Sequence, residues 1–306
     1  MSETSLLTDF EGKSLYLHTW QPEQVPVGVI QILHGMAEHA GRYNMFANRL
    51  TGNGYAVYAH DHRGHGKTDP DQLGFISEQG GFDLLVQNVE DVNNHIKRVH
   101  PDIPIAMFGH SMGSFLVQRF LQKSSFTPDA VIYSGSNGKP PVILNAGILI
   151  ASLLIKLFGP EAKSPLLEKM SFGAYNKTFK PNRTEFDWLS RDNKMVDLYI
   201  DDPLCGFTCT TSFYHQLFTG IKAIHSHKPF SDHSKEIPIL ILSGDHDPVS
   251  NMGKGIKSLE KSIRSSGVNN LDVQIYPGGR HELLNETNRE VVMDFMINWI
   301  RKKLHG

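Results

Sequence analysis

The sequence predicts an α/β protein: a mostly parallel, eight-stranded sheet, helices on both faces, and one inserted helical segment. Three observations predict it. Short apolar runs of strand length alternate with amphipathic stretches of helix length, the pattern of a parallel sheet. One run, Ile105–Phe108, leads straight into Gly109-His110-Ser111-Met112-Gly113 and then a helix pattern. The alternation stops over 139–232, where only helical spacing is found. The reading is therefore a core of 1–138 and 233–306, with 139–232 inserted over the carboxyl ends of the strands, where open α/β sheets bind ligands.

The chain opens with two runs, 5–10 and 14–20, joined at Glu11-Gly12 as an antiparallel pair. Strands follow at 28–34 and 55–60, separated by a helix from Arg42 to Asn53 that Gly54 closes. A long helix spans 81–99. Pro104 then punctuates the Ile105–Phe108 strand, and Phe115, Leu116, Phe120 and Leu121 mark the helix after it. Another strand covers 129–135. In the insert, 142–158 and 166–175 read as helices. Strands at 237–244 and 271–276 alternate with helices at 254–266 and 286–304.

Gly109-x-Ser111-x-Gly113 carries chemistry. A serine at the tip of a strand-to-helix turn needs a strained backbone, with small neighbours two residues away. Such a turn exposes the hydroxyl and aims free helix N–H groups at it, where an oxyanion needs donors. Serine is a weak nucleophile without a base, and the base needs an orienting carboxylate. In the chain order serine, acid, histidine, two later loops supply candidates. His281 follows the glycine-rich turn Pro277-Gly-Gly-Arg. Asp245 and Asp247 both follow the strand ending at Gly244. Asp247 is favoured because it sits further into the loop and Pro248 would start the next helix, which leaves Asp245 a cap or turn role. The second oxyanion donor belongs to His34-Gly35-Met36, so the backbone N–H groups of Met36 and Met112 are assigned.

Composition excludes several classes. Thirty basic and 32 acidic residues, net charge −2, do not suit a nucleic-acid partner. Cys205 and Cys209 are too few for a disulfide scaffold or a structural zinc site. The start lacks a basic segment followed by a long apolar one, so a cytoplasmic protein is expected. The apolar run 142–158 contains Lys156 and sits at the lower limit of a membrane span; a helix lying over the core or on a membrane surface is the reading. His60-Asp61-His62-x-x-His65 looks like a metal site, but one tight loop cannot aim all of these side chains at one point. No metal and no cofactor are expected. Glu38 and Arg42, four apart, read as a local ion pair at the mouth of the site or an ordinary exposed pair.

Together His34-Gly-Met-Ala-Glu-His39, Arg42-Tyr43, His60-Asp-His-Arg-Gly-His-Gly66 and Gly109-His-Ser-Met-Gly113 resemble the α/β-hydrolase superfamily, in its monoacylglycerol lipase and lysophospholipase branch. The resemblance covers almost the whole chain and is weakest across the insert. It implies a triad of Ser111, Asp247 and His281, and an insert serving as a lipid-facing cap. Two positions depart from the family pattern. Ala37 stands where the oxyanion loop usually has a second glycine, and Ser114 where the nucleophile motif often continues with one.

The expected function is serine ester hydrolysis of a monoacylglycerol or lysolipid through an acyl-enzyme on Ser111. Glu38, Ile148, Leu153 and Leu157 are candidate substrate contacts, with Leu149, Leu154 and Phe158 beside them in an acyl pocket. Transient membrane contact through the cap is expected too. A general carboxylesterase remains an alternative. So does an aminopeptidase, in which Glu161, Glu168 or Asp187 would supply an acidic pocket for an ammonium group. A non-catalytic ligand-binding member is the third reading.

Overall fold

A computed structural model describes residues 2–138, 143–226 and 235–306. Eight strands form one sheet: β1 (Ser2–Thr8), β2 (Ser14–Trp20), β3 (Gly28–Leu33), β4 (Tyr55–His60), β5 (Ile105–His110), β6 (Ala130–Ser134), β7 (Ile239–Gly244) and β8 (Leu271–Tyr276). Their spatial order is β1-β2-β4-β3-β5-β6-β7-β8. β1 and β2 pair antiparallel, as do β2 and β4; every later pairing is parallel.

Strands β3 to β7 are buried along their whole length. That explains why they read as continuous apolar runs: both faces are covered. Along β5, Met107 faces one core while Ala106 and Phe108 face the other. On the first side lie helices α2 (Gly81–Val99), α3 (Met112–Lys123) and α8 (Lys254–Ser265); on the second lie α1 (Asn44–Thr51) and α9 (Arg289–His305).

Local chemistry moves some boundaries. β1 stops at Thr8 because the Asp9 carboxylate accepts the backbone N–H groups of Glu11 and Lys13 and closes the turn early. The helix expected from Arg42 begins as a 3-10 turn, Ala40–Tyr43, before α1. The last helix starts at Arg289 rather than Glu286, because the Glu286 carboxylate accepts the N–H groups of Arg280 and Arg191 instead.

Between β6 and β7 the described chain holds four α-helices: α4 (Ile143–Phe158), α5 (Pro165–Phe172), α6 (Asn193–Asp201) and α7 (Thr211–Ser226). The expected insert limits at 139 and 232 lie outside the described residues. α4 packs on α7 through small residues: Gly147 and Ala151 are buried, and a Cβ on Gly147 would lie 3.0 Å from the Phe218 ring. No described helix is long and apolar enough to cross a membrane.

Candidate active site

Ser111 sits between β5 and α3 with φ 51° and ψ −118°, a region that side chains other than glycine avoid. Its hydroxyl is not spent on capping α3. The flanking glycines are steric requirements. A Cβ on Gly113 would fall 2.1 Å from the Leu33 carbonyl oxygen, and one on Gly109 would fall 2.5 Å from that of Gly113. Ser114 fills the second departure from the family pattern: its Oγ donates to the Ser111 carbonyl at 2.6 Å and lies 2.8 Å from Ser136 Oγ. It braces the turn and keeps the helix close to the sheet.

Asp247 and His281 meet at the carboxyl ends of β7 and β8. His281 Nδ1–H donates to Asp247 Oδ1 at 3.0 Å, both residues being almost wholly buried. The same oxygen accepts the Val249 N–H at 2.8 Å, while Oδ2 is buried with no partner among the described residues. Burial works against charge on His281, but the Asp247 carboxylate outweighs it and the imidazole pKa lies above its ordinary value. Asp245 is separate: about half exposed, it accepts the Gly278 N–H and contacts His246. Pro248 starts no helix, since residues 248–253 form turns before α8.

Ser111 and the Asp247–His281 pair share one neighbourhood. A Cβ on Gly35 would lie 3.2 Å from Ser111 Cβ and 3.4 Å from the His110 ring. His110 in turn lies 4.7 Å from His281, ring to ring. Met36 follows Gly35, and Met112 opens α3. Neither backbone N–H has an acceptor among the described residues. Ala37 adopts φ 54°, the left-handed conformation that suits the glycine it replaces. Its carbonyl accepts the N–H of Gly206 at 2.9 Å and the Tyr199 hydroxyl at 3.0 Å, so the insert holds this loop.

Glu38, expected as a substrate contact, is engaged by groups of the protein itself. It is 3 % exposed, and its carboxylate accepts from Gly35 N–H, the Tyr43 hydroxyl and Arg42. Nor is the Glu38–Arg42 pair an ordinary surface one. Arg42 is largely buried, its side chain 11% exposed, and forks onto both oxygens of Glu282, the residue after His281, at 2.7 Å each. The two carboxylates keep the guanidinium charged despite its burial.

The histidine loop packs as neutral rings. His34 Nδ1–H donates to the Gly35 carbonyl, and His34 Nε2 accepts the His62 backbone N–H. His62 Nε2–H donates to the His34 carbonyl, which leaves its Nδ1 to accept from His60. Burial pushes all four pKa values down, those of His60 and His65 to about 4. Among the described residues, the donor cluster compact enough for a metal is elsewhere: His39, Asp202 and Cys205, within 4.8 Å of one another. There His39 Nδ1 accepts the Gly41 N–H, so Nε2 carries the proton, donates it to Asp202, and has no lone pair for a metal.

The insert residues chosen from sequence fall in unexpected places. Leu153 and Leu157 are 56 % and 63 % exposed, with Leu149 and Phe158 beside them, whereas Ile148 is half-buried. The insert enters the cluster that contains Met112 through buried residues such as Ala151, Leu167 and Phe213, and Met36 with the insert's Ile150, Leu154, Phe207 and Phe218 packs against it partly buried. Nor do the described residues gather Glu161, Glu168 and Asp187 as free carboxylates for an ammonium group. Glu161 is exposed, Glu168 binds the Thr208 hydroxyl, and Asp187 is consumed by the N–H groups of Arg183 and Thr184 and the Thr184 hydroxyl. Sequence reading missed Arg42–Glu282, Trp188 and Glu286. The proximity of Arg42-Tyr43 to the oxyanion loop was a signal for Arg42 alone.

A family model described as serine aminopeptidase, S33 matches residues 24–288. Monoglyceride lipase of Mus musculus is 29% identical over 285 residues, 92% of this chain and 84% of the other. Monoacylglycerol lipase of Mycolicibacterium smegmatis is 27% identical over 293 residues, 94% and 93% of the two chains. Among solved structures, a thermostable carboxyl esterase from Bacillus coagulans in complex with glycerol superposes with a TM-score of 0.89, at 24% identity and 99% coverage of both chains. A soluble variant of monoglyceride lipase from Saccharomyces cerevisiae, in complex with a substrate analog, superposes with a TM-score of 0.77 at 21% identity, covering 99% and 96%.

Proposed function

The chain belongs to the serine aminopeptidase S33 family, has the α/β-hydrolase fold and is an ester hydrolase of the monoacylglycerol lipase type; we propose that it cleaves monoacylglycerols through an acyl-enzyme on Ser111. The observation that carries this is the buried His281–Asp247 hydrogen bond beside a strained serine. With Nδ1–H committed to Asp247, Nε2 is left as the basic nitrogen. It takes the Ser111 proton as Oγ attacks the ester carbonyl, then gives it to the departing alcohol. Water enters, His281 takes its proton as the water oxygen attacks the acyl carbonyl, and the imidazolium returns that proton to Ser111 Oγ as it leaves, which releases the fatty acid. The Met36 and Met112 N–H groups receive the oxyanion in both steps. Catalytic contacts commonly close only when substrate binds, as the Ser111–His281 contact must here.

The acyl chain lies against the half-buried side chains Met36, Ile150, Leu154, Phe207 and Phe218, not against Leu153 or Leu157. Those two, with Leu149 and Phe158, are the apolar face that rests on the lipid surface supplying substrate. An ester panel tests the reading: p-nitrophenyl acetate to palmitate beside monoacylglycerol, lysophosphatidylcholine and a proline amide. Monoacylglycerol turnover that vanishes in Ser111→Ala is expected. Turnover surviving in that variant, or confined to the amide, overturns it.

A further inference from the structure

The insert brings one aromatic ring to His281. The Trp188 ring centroid lies 5.1 Å from that of the imidazole, with the planes 37° apart, closer to stacked than edge-on. The Trp188 carbonyl accepts the His281 N–H at 3.4 Å. The indole is clamped in turn. Phe172 stacks on it at 6.0 Å with planes 10° apart and Tyr175 meets it edge-on at 5.1 Å, while the backbone N–H of Trp188 donates to Asn176 Oδ1 at 2.9 Å. Trp188 is 9 % exposed.

The remaining groups around His281 divide by sign. Asp247 takes the edge of the imidazole at Nδ1. His110 lies 4.7 Å away and is kept neutral by burial. Glu282 and Glu38 are further carboxylates, both already gripped by Arg42. Arg280 points away, toward the carbonyls of Asp187 and Ser190. Asp247 therefore addresses one edge of the imidazole and Trp188 one of its faces. An indole face attracts a cation within about 6 Å, most strongly where water is excluded. In serine acyl transfer the imidazole becomes a cation twice.

We propose that Trp188 is a positioning residue that fixes the plane of the His281 ring and stabilises its imidazolium form through the indole face. This rests on the reading of His281 as the base for Ser111.

The test titrates ¹³Cε1-labelled histidine by NMR in the Ser111→Ala protein, with His281→Gln to assign the resonance. Trp188→Leu removes the π face yet keeps water out, which Trp188→Ala would not. The expected result is a His281 midpoint lower by about half to one pH unit in Trp188→Leu, and by less in Trp188→Phe. With Ser111 restored, the acidic limb of kcat/KM for a short ester moves to lower pH by the same amount. A midpoint unchanged in folded Trp188→Leu overturns the proposal, leaving the ring a wall. Should Trp188→Leu not fold, fluorinated tryptophan incorporated throughout weakens the ring quadrupole without changing its shape. A midpoint that falls with fluorination supports the proposal, and one that stays overturns it. Ester turnover surviving in Ser111→Ala would instead sink the functional reading and leave the titration result standing.

Discussion

Arg42 and Glu282 lie 240 residues apart in sequence and meet in a buried two-pronged ion pair, both contacts 2.7 Å. Arg42 also holds Glu38, which accepts the Gly35 N–H. One guanidinium thus joins the loop bearing Met36 to the loop bearing His281. Removing one partner strands buried carboxylates, so Arg42→Met should cost about 3–5 kcal/mol in urea unfolding. Arg42→Lys cannot fork onto two oxygens and should lose more than half of kcat while folding. An Arg42→Met protein within about 0.5 kcal/mol of wild type would contradict this account, since that is the scale of an exposed change.

Gly244 lies beneath Gly279, and a Cβ there would fall 1.9 Å from the Gly279 carbonyl oxygen. This crossing brings the His281 turn down onto the end of β7, beside Asp247. Backbone would have to move for Gly244→Ala. The expected loss is about 2 kcal/mol or more of stability, with kcat falling at least tenfold, as misplaced catalytic groups do. Wild-type activity in Gly244→Ala would show that the crossing does not position the pair.

Acid should weaken the fold before it reaches the carboxylates. His34, His60, His62 and His65 have folded pKa values below the unfolded value. Their stabilising effect is complete above about pH 6.5 and is lost as pH falls toward 4, each buried ring steepening the loss by about 1.4 kcal/mol per pH unit. His281 has the opposite sign. Its raised pKa contributes stability below the unfolded value, which disappears as pH rises through the folded one. The four rings outnumber the one, so urea midpoints should drop steeply between pH 6.5 and 5. A flat profile there would refute the neutral-ring packing.

Activity should follow His281 alone. The base works only when deprotonated, so kcat/KM for a soluble ester should fall as pH drops through a midpoint above 6.5. An acidic limb centred below 6.5 would mean that burial, not Asp247, dominates the imidazole.

The outer face of α4 predicts a separation of functions. Leu149, Leu153 and Leu157 changed together to serine should lower binding to phosphatidylcholine vesicles at least tenfold, because each buried leucine contributes about 1.5–3 kcal/mol at most on transfer from water. Hydrolysis of p-nitrophenyl acetate should stay within about twofold of wild type, as all three side chains are more than half exposed. Equal vesicle binding would remove the membrane role.

What the sequence determined by itself was local or periodic. Buried strands and amphipathic helices follow from spacing of two and 3.6 residues, and the Ser111 turn from two glycines whose Cβ atoms would strike backbone. The order serine, aspartate, histidine placed the candidate residues at successive strand ends. Only the tertiary structure decided between Asp245 and Asp247, because both follow β7 and just one faces His281. It also decided that α4 turns Leu153 and Leu157 outward. Asn145, Ser152 and Lys156 are the only polar residues among the apolar ones of this helix, too few to fix its face, and the small seam of Gly147 and Ala151 on α7 sets the rotation. Arg42–Glu282 and Trp188–His281 belong to the same class: these pairings exist only after the chain has closed on itself, and no spacing along it encodes them.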